Sequence, residues 1–243
     1  MIFANWERNG IEVCCRAIDA VEYPASDFAE WLSHREIKRL GVMTSLKRRK
    51  TWLAGRVVAK TMAHGYFSQA ALCDIELISA NASGQGISPY LECEGRRCPL
   101  VFSLSHTDRE IAVAMTHDDK WTLGIDLVDL HDAGDRFASI RNRWLTPSEK
   151  VQVSPFDSRE IARRWALKEA AYKSMGHVQT GFSPLHNEVL RDETRQDAWR
   201  ITCLGETVIA HDEITVIESR DSILAIVCYQ ARQETQNFVP ALS

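Results

Sequence analysis

The 243-residue sequence lacks the features that would assign it to a membrane-bound, secreted or strongly charged class of protein. Its most apolar run, ILAIVCY at 223–229, is far shorter than the roughly 20 residues needed to cross a bilayer. The N-terminus has neither the basic start nor the apolar core of a signal peptide. A net charge of −4 gives no reason to expect nucleic-acid binding. We therefore predict a cytoplasmic protein that contacts neither membrane nor nucleic acid.

Several chemical signatures are also missing. The seven cysteines form an odd set without a CxxC spacing, so neither a disulfide framework nor a zinc site is predicted. The chain has no GxxxxGK or GxGxxG loop for phosphates and no GxSxG turn for a serine nucleophile. Any phosphate group would therefore have to be bound by side chains and a metal ion.

What the sequence does contain is an apparent internal repeat. LSxxE at 32–36 and LTxxE at 145–149 are both capping-box signatures of a helix start, and they lie 113 residues apart. WxxxRxxxK at 52–60 matches WxxxExxxK at 165–173 with the same offset. Tryptophan is rare and the spacings agree, so we favour duplication, although common residues can also repeat by chance.

The repeat extends to predicted strands. GIEV at 10–13 resembles GIDL at 124–127, and short β-rich runs follow the long helical region in each part of the chain. We predict an α+β fold of two similar halves, in each of which a helix packs on an antiparallel sheet. The halves, placed at 1–118 and 119–243, would form a pseudo-two-fold, internally duplicated monomer with a ligand cleft between them.

Two carboxylates are candidate metal ligands. GIDLVDL at 124–130 places Asp126 and Asp129 near the end of a predicted strand. Mg²⁺ typically binds one or two protein carboxylates together with water and substrate phosphates. Asp126 and Glu169 could supply this pair if the cleft brings them together. The alternative for Asp126 is a turn carboxylate that caps a backbone amide.

Polar and basic residues near these acids are candidates for phosphate binding. Lys173 lies one helical turn beyond Glu169, where it could hold a phosphate or form only a surface ion pair. Ser105 and His106 end a predicted strand and could bind an anion or be satisfied core residues. The basic run at 47–50, with Arg56, could receive phosphates or form a solvated helix face.

These motifs together resemble the signature of the phosphopantetheinyl transferases. SLSH at 103–106, GIDLV at 124–128 and WALKEAAYK at 165–173 carry the resemblance, and the length and doubled halves resemble the larger, pseudo-dimeric type. The resemblance implies an enzyme of the holo-[acyl-carrier-protein] synthase kind. Such an enzyme transfers the 4'-phosphopantetheine group of coenzyme A to a serine of an apo acyl or peptidyl carrier protein and releases adenosine 3',5'-bisphosphate. It depends on Mg²⁺ and activates carrier proteins of fatty acid, polyketide or nonribosomal peptide synthesis.

The resemblance also implies roles for particular residues. Asp126 and Glu169 match the Mg²⁺ ligands, and Glu169, Lys173 and Glu149 are the candidate catalytic residues. The candidate coenzyme-binding residues, of which the first two come from the basic region, are Arg49, Arg56, Ser105, His106, Lys168 and Lys173.

The sequence departs from the family pattern at Val128, where many members carry a third acidic residue. Asp126 and Val128 lie two apart on a predicted strand and so share a face. We expect Val128→Glu to strengthen Mg²⁺ binding if this side chain points into the cleft. Two other interpretations of the chain remain, namely a Mg²⁺-dependent phosphohydrolase of small nucleotides and an inactive paralogue that only binds carrier proteins.

Overall fold

The computed structural model describes residues 6–81, 85–131, 133–175, 184–191, 198–203 and 207–230. None of the helices in these ranges is long and apolar enough to span a bilayer. The helices are α1 (His34–Gly41), α2 (Leu46–Tyr66), α3 (Ala133–Trp144), α4 (Pro147–Gln152) and α5 (Ser158–Ser174). The strands are β1 (Trp6–Arg8), β2 (Ile11–Ala17), β3 (Ile75–Ala80), β4 (Gly86–Cys93), β5 (Arg96–Arg97), β6 (Val101–His106), β7 (Glu110–Thr116), β8 (Trp121–Asp129), β9 (Asn187–Arg191), β10 (Trp199–Cys203), β11 (Thr207–Ile209), β12 (Ile214–Glu218) and β13 (Ser222–Gln230).

The strands form antiparallel sheets whose order repeats along the chain. In the first half β2, β7 and β6 are neighbours in this order, and in the second half β8, β13 and β12 take the equivalent places. The sheet β3-β4-β5 is likewise repeated as β9-β10-β11. Helices and antiparallel sheets therefore alternate as predicted, which confirms the α+β class. The matching order supports duplication, and the division at 118/119 falls between β7 and β8 and stays a prediction.

Both predicted capping boxes are present at equivalent helix starts. At α1 the Ser33 hydroxyl accepts the N–H of Glu36 (3.1 Å), whose carboxylate accepts the N–H of Ser33 (3.0 Å). At α4 Thr146 and Glu149 form the same reciprocal pair, at 3.3 and 2.5 Å. Each glutamate leaves one oxygen for a strand: Leu77 N–H donates to Glu36 (3.2 Å) and the Val189 N–H to Glu149 (2.8 Å). The caps therefore also attach each short helix to the following sheet.

Each capping glutamate is neutralised by a buried lysine of the long helix. Lys60 Nζ lies 2.5 Å from Glu36 and Lys168 Nζ lies 2.9 Å from Glu149, with all four side chains at most 3% exposed. Burial lowers the pKa of both lysines, and the partner carboxylates oppose this shift. Because these lysines are 108 residues apart, the constant offset of 113, which pairs Lys60 with Lys173, does not describe the long helices.

The two halves share an apolar core. Ile11 and Val13 of β2 pack in one cluster with Ile125 and Leu127 of β8. Side chains alternate along a strand, so the residues between them point the other way. On β8 that opposite face lies against α5, where a Cβ added to Gly124 would come within 1.9 Å of the Ala170 carbonyl oxygen. Strand β8 therefore contacts the first half on one face and α5 on the other.

Candidate active site

Two adjoining cavities are candidates for a ligand site, of which the first lies within the first half and the second between the halves. One of about 580 Å³ lies mainly against α2 and is lined by Lys47, Arg48, Arg56 and His106, among others. The second, of about 430 Å³, is lined by parts of β4, β6 and β8 and by the C-terminal part of α5, including Glu169 and Lys173. Pro89 and Leu104 line both cavities. The second cavity therefore corresponds to the predicted cleft between the halves, and it adjoins a cavity of the first half that is lined by several basic side chains.

Asp126 lies on the face of β8 that meets α5, and only 8% of its surface is exposed. Its Oδ1 accepts hydrogen bonds from Lys173 Nζ (2.7 Å) and Ser105 Oγ (2.9 Å). Lys173 also donates to the carbonyl oxygen of Ile125 (3.0 Å). Three residues that were candidates from the sequence are therefore joined at Asp126 Oδ1. Ser105 belongs to the first half, and Asp126 and Lys173 belong to the second.

Glu169 is half-buried at the second cavity, one turn before Lys173 on α5. Within the described part of the chain it has no hydrogen bond or ion pair. Burial raises the pKa of Glu169, and the Asp126 carboxylate raises it further, whereas the Lys173 ammonium lowers it. Two carboxylates that repel each other in this way would both be stabilised by a cation between them.

The donor set suits one kind of metal. Among the described residues no group of three or more His, Cys, Asp or Glu side chains could hold a metal ion. Mg²⁺ does not require such a group, because it commonly binds one or two carboxylates and completes its shell with water and phosphates. Asp126 and Glu169 therefore fit Mg²⁺ better than a metal that needs a complete protein cage.

The first cavity has a basic wall built on α2. Arg56 is 6% exposed, its guanidinium lies 3.9 Å from the centre of the Trp52 ring, and it donates to Ser79 Oγ (3.3 Å). Burial lowers the pKa of Arg56 to about 10, opposed by the Glu36 carboxylate 3.8 Å away. Arg56 is therefore still a cation at neutral pH.

His106 completes this wall at the end of β6. Desolvation lowers the pKa of His106, and the Lys173 ammonium adds to the effect, while the backbone of Thr107 and the Asp108 and Asp126 carboxylates oppose it. The imidazole is therefore mainly neutral near pH 7. An anion bound beside it would favour its protonation.

The structure places Arg49 away from this wall. Arg48, Thr51 and Trp52 line the first cavity, whereas Arg49 does not. One residue along a helix turns the side chain by about 100°, so neighbouring arginines project in different directions. Of the basic run, Lys47 and Arg48 line the first cavity, so Arg48 takes the place expected for Arg49. The helical period alone does not make that distinction, because it places Arg49 about 20° and Arg48 about 80° from Arg56 around the helix axis.

Glu149 and Lys168 are corrections to the sequence-based assignment. Both side chains are 0% exposed, and they pair with each other. The remaining contacts of Glu149 are the Thr146 and Val189 N–H groups, and Lys168 also donates to the Asn187 carbonyl. Neither residue lines either cavity. We therefore assign them a structural role in place of the catalytic and coenzyme-binding roles expected; the capping box already contained this signal for Glu149.

Val128 is a second correction. It shares the α5-facing side of β8 with Asp126, as predicted, but it is 1% exposed and packs in the core of the second half with Phe137 and Ala171. The condition that it points into the cleft is not met. The next carboxylate, Asp129, is already in a bidentate pair with Arg109, at 2.8 and 2.5 Å. Sequence reasoning missed this pair, which joins the two halves.

In the second half, Glu169 and Lys173 of α5 line the second cavity, and Lys173 connects this lining to the buried Asp126 of β8. Residues 122–227 match the family model ACPS, the 4'-phosphopantetheinyl transferase superfamily. The match includes Asp126, Glu169 and Lys173. The residues contributed by the first half, namely Arg56, Ser105 and His106, lie outside it.

Two solved structures are similar over part of the chain. The first is Helicobacter pylori holo-[acyl-carrier-protein] synthase in complex with coenzyme A, at 26% identity and a TM-score of 0.36, over 43% of this chain and 96% of that one. The second is a holo-(acyl-carrier-protein) synthase from Bacillus anthracis in complex with CoA (3',5'-ADP), at 22% identity and a TM-score of 0.35, over 46% and 96%. A comparison with curated proteins gave no match.

Proposed function

We propose that this protein transfers the 4'-phosphopantetheine group of coenzyme A to a serine of an apo acyl or peptidyl carrier protein, with adenosine 3',5'-bisphosphate as the second product. The observation that carries the proposal is that Lys173, which lines the second cavity with Glu169, donates a hydrogen bond to Asp126, and all three residues lie within the segment that matches the family. Coenzyme A and the carrier protein are the proposed partners. A monomer is expected to suffice, because one chain supplies both walls of the cleft.

Asp126 and Glu169 would hold Mg²⁺, which when bound neutralises charge on the pyrophosphate. The serine oxygen bonds to the β-phosphorus while the bond from this phosphorus to the bridging oxygen breaks. The serine proton passes to Glu169, and the electron pair of the broken bond leaves with adenosine 3',5'-bisphosphate. Lys173 offsets the charge that develops on the departing phosphate.

The first cavity binds the nucleotide part of coenzyme A in this scheme. Its volume of about 580 Å³ falls in the usual range for a small-molecule site. Lys47, Arg48 and Arg56 supply positive charge along one wall, and His106 lies at its edge. The adjoining second cavity contains Glu169 and Lys173, so a ligand that extends from one to the other passes the reacting groups.

The test is incubation with coenzyme A, Mg²⁺ and an apo carrier protein, followed by mass spectrometry. Transfer adds the phosphopantetheine mass to the carrier serine and releases adenosine 3',5'-bisphosphate, and a carrier with that serine replaced by alanine is the control. Release of phosphate or nucleotide without modification of the carrier would indicate a phosphohydrolase. Carrier binding with no chemistry would indicate an inactive paralogue.

A further inference from the structure

The edge of β8 that faces the first half is held by side chains of β6. Ile125 N–H donates to Ser103 Oγ and Leu127 N–H donates to Ser105 Oγ, both at 3.1 Å. We call these four residues the β6–β8 seam. Backbone N–H groups buried at such an edge require an acceptor, and here serine hydroxyls take the place of a backbone ladder.

The two serines of the seam differ in one contact. Both are buried, at 4% exposure for Ser103 and 6% for Ser105. Ser105 Oγ also donates to Asp126 Oδ1 (2.9 Å), whereas Ser103 has no carboxylate contact among the described residues. A hydroxyl has a single proton to donate. The proton of Ser105 is therefore engaged with Asp126 and is not available to a phosphate of the coenzyme.

We propose that Ser105 is a positioning residue for Asp126, in place of the coenzyme contact that the sequence suggested. The inference rests on the proposed function, because it concerns how the carboxylate is oriented for its role there. The Ser105 hydroxyl accepts a hydrogen bond from the N–H of Leu127, on the strand that carries Asp126, and donates a hydrogen bond to the Asp126 carboxylate. It thereby fixes the carboxylate relative to its own backbone.

Lys173 reaches the same oxygen from the opposite element, α5. Asp126 Oδ1 is thus held between β6 of the first half and α5 of the second half. Groups that orient a metal-binding carboxylate in this way typically change metal affinity or activity by about 10–100-fold when they are removed. The first half therefore sets the geometry of the acidic site through Ser105, without contact between Ser105 and substrate.

Ser103→Ala is the matched control for Ser105→Ala, since both remove a seam acceptor but only the second removes the contact with Asp126. Three quantities are measured: kcat for transfer, Mg²⁺ affinity by calorimetry with coenzyme A present and no carrier, and the preference for coenzyme A over 3'-dephospho-coenzyme A. We expect Ser105→Ala to lower kcat and Mg²⁺ affinity about 10–100-fold. Ser103→Ala should leave the Mg²⁺ affinity within about threefold of that of the wild type, and both variants should show a similar drop in melting temperature. The kcat of Ser103→Ala does not serve as a control, because Ser103 lines the second cavity.

The preference for coenzyme A over 3'-dephospho-coenzyme A distinguishes a residue that positions Asp126 from one that contacts the 3'-phosphate. Ser105→Ala should leave this preference unchanged, whereas His106→Ala should reduce it. A reduced preference in Ser105→Ala, or equal Mg²⁺ affinity in the two serine variants, would overturn the inference. If the wild type shows no transfer but Ser105→Ala weakens Mg²⁺ binding relative to Ser103→Ala, the proposed function fails and the role of Ser105 stands. A wild type that neither transfers nor binds Mg²⁺ overturns both.

Discussion

Strands β2 and β8 occupy equivalent places in the two halves but face different surroundings. Ile11 and Val13 of β2 point into the shared core, as Ile125 and Leu127 of β8 do. The acid between each pair differs: Asp126 is buried against Ser105 and Lys173, whereas Glu12 is exposed and accepts a hydrogen bond from the Tyr66 hydroxyl (2.7 Å). The apolar pattern of β2 is therefore repeated in β8, whereas the contacts of the acidic residue between the apolar residues are not.

The edges of the two strands account for this difference. On the edge of β2 that lies away from β7, backbone hydrogen bonds pair β2 with β1, and Glu7 lies opposite Glu12. The corresponding edge of β8 is met by the serine side chains of β6, and one of them, Ser105, donates to Asp126, which also accepts a hydrogen bond from Lys173 at the second cavity. The duplicated fold therefore contains two equivalent strands, and the acid of each strand is placed in different surroundings by the neighbouring element, which is β1 for β2 and β6 for β8.

The largest expected effect is at the acids of the second half. Glu169→Gln should lower kcat for transfer about 10²–10⁴-fold, because it removes the proposed base and a metal ligand with little change of volume. Asp126→Asn should lower kcat by a similar order, whereas Glu12→Gln at the equivalent place on β2 should leave transfer within about twofold. Carrier modification followed by mass spectrometry measures all three. A comparable loss in Glu12→Gln would break the comparison between the halves.

Although Glu169→Gln should lower kcat, the same substitution should not lower the stability of the ligand-free protein. Because the pKa of Glu169 is raised on folding, ionisation of this group opposes folding above its ordinary pKa, and the penalty is relieved as pH falls through the folded value. Glu169→Gln should therefore keep or increase the unfolding free energy at pH 7, measured by urea denaturation without metal or coenzyme. A marked loss of stability would mean that Glu169 is a structural acid.

Next in size are the buried lysines that both halves share. Lys168→Met and Lys60→Met should each lower the unfolding free energy by about 3–5 kcal/mol, because each leaves a capping glutamate buried without its partner. The kcat of the folded fraction of Lys168→Met should remain near that of the wild type. If Lys168→Met instead abolishes transfer with stability unchanged, Lys168 belongs to the site after all.

Val128 and its counterpart on β2, Cys14, give a smaller contrast. Val128→Glu places a carboxylate in the apolar core and should lower the unfolding free energy by about 3 kcal/mol at pH 7. Cys14 is only partly buried, so Cys14→Glu should cost about 1 kcal/mol. Denaturant unfolding of both variants provides the measurement. Tighter Mg²⁺ binding by a stable Val128→Glu protein would restore the original expectation that this side chain reaches the cleft.

The smallest expected effect concerns the basic contribution of the first half. Arg48→Ala should raise the KM for coenzyme A about threefold to tenfold and flatten its salt dependence, because Arg48 lines the first cavity. Arg49→Ala is the matched control one residue along and should change KM less than about twofold. Steady-state kinetics at low and moderate salt compare the two. Equal shifts would indicate that only the net charge of the helix start matters.

The sequence was informative where a local rule determines the structure. Capping boxes predicted two helix starts correctly, and alternation along GIDLV predicted that Asp126 and Val128 share a face. It could not show that Val128 is enclosed in the apolar core of the second half while Asp126 meets Ser105 and Lys173, because that depends on how distant elements pack. Motif matching likewise grouped Lys168 with Glu169, although adjacent helical residues point in different directions and only Glu169 reaches the cleft.

Gly124 determines how closely α5 approaches the strand that carries Asp126. A methyl group there would overlap the Ala170 carbonyl oxygen at 1.9 Å and the Ser174 nitrogen at 2.4 Å, and both are backbone atoms that no rotamer change can move. In the first half, Gly10 instead occupies a turn with φ of 72° and open space around it. The distance between the acidic strand and its helix is thus set by main-chain contact at one position. Outward-facing side chains of α5 can therefore be replaced without changing the spacing between the strand that carries Asp126 and the helix that carries Glu169.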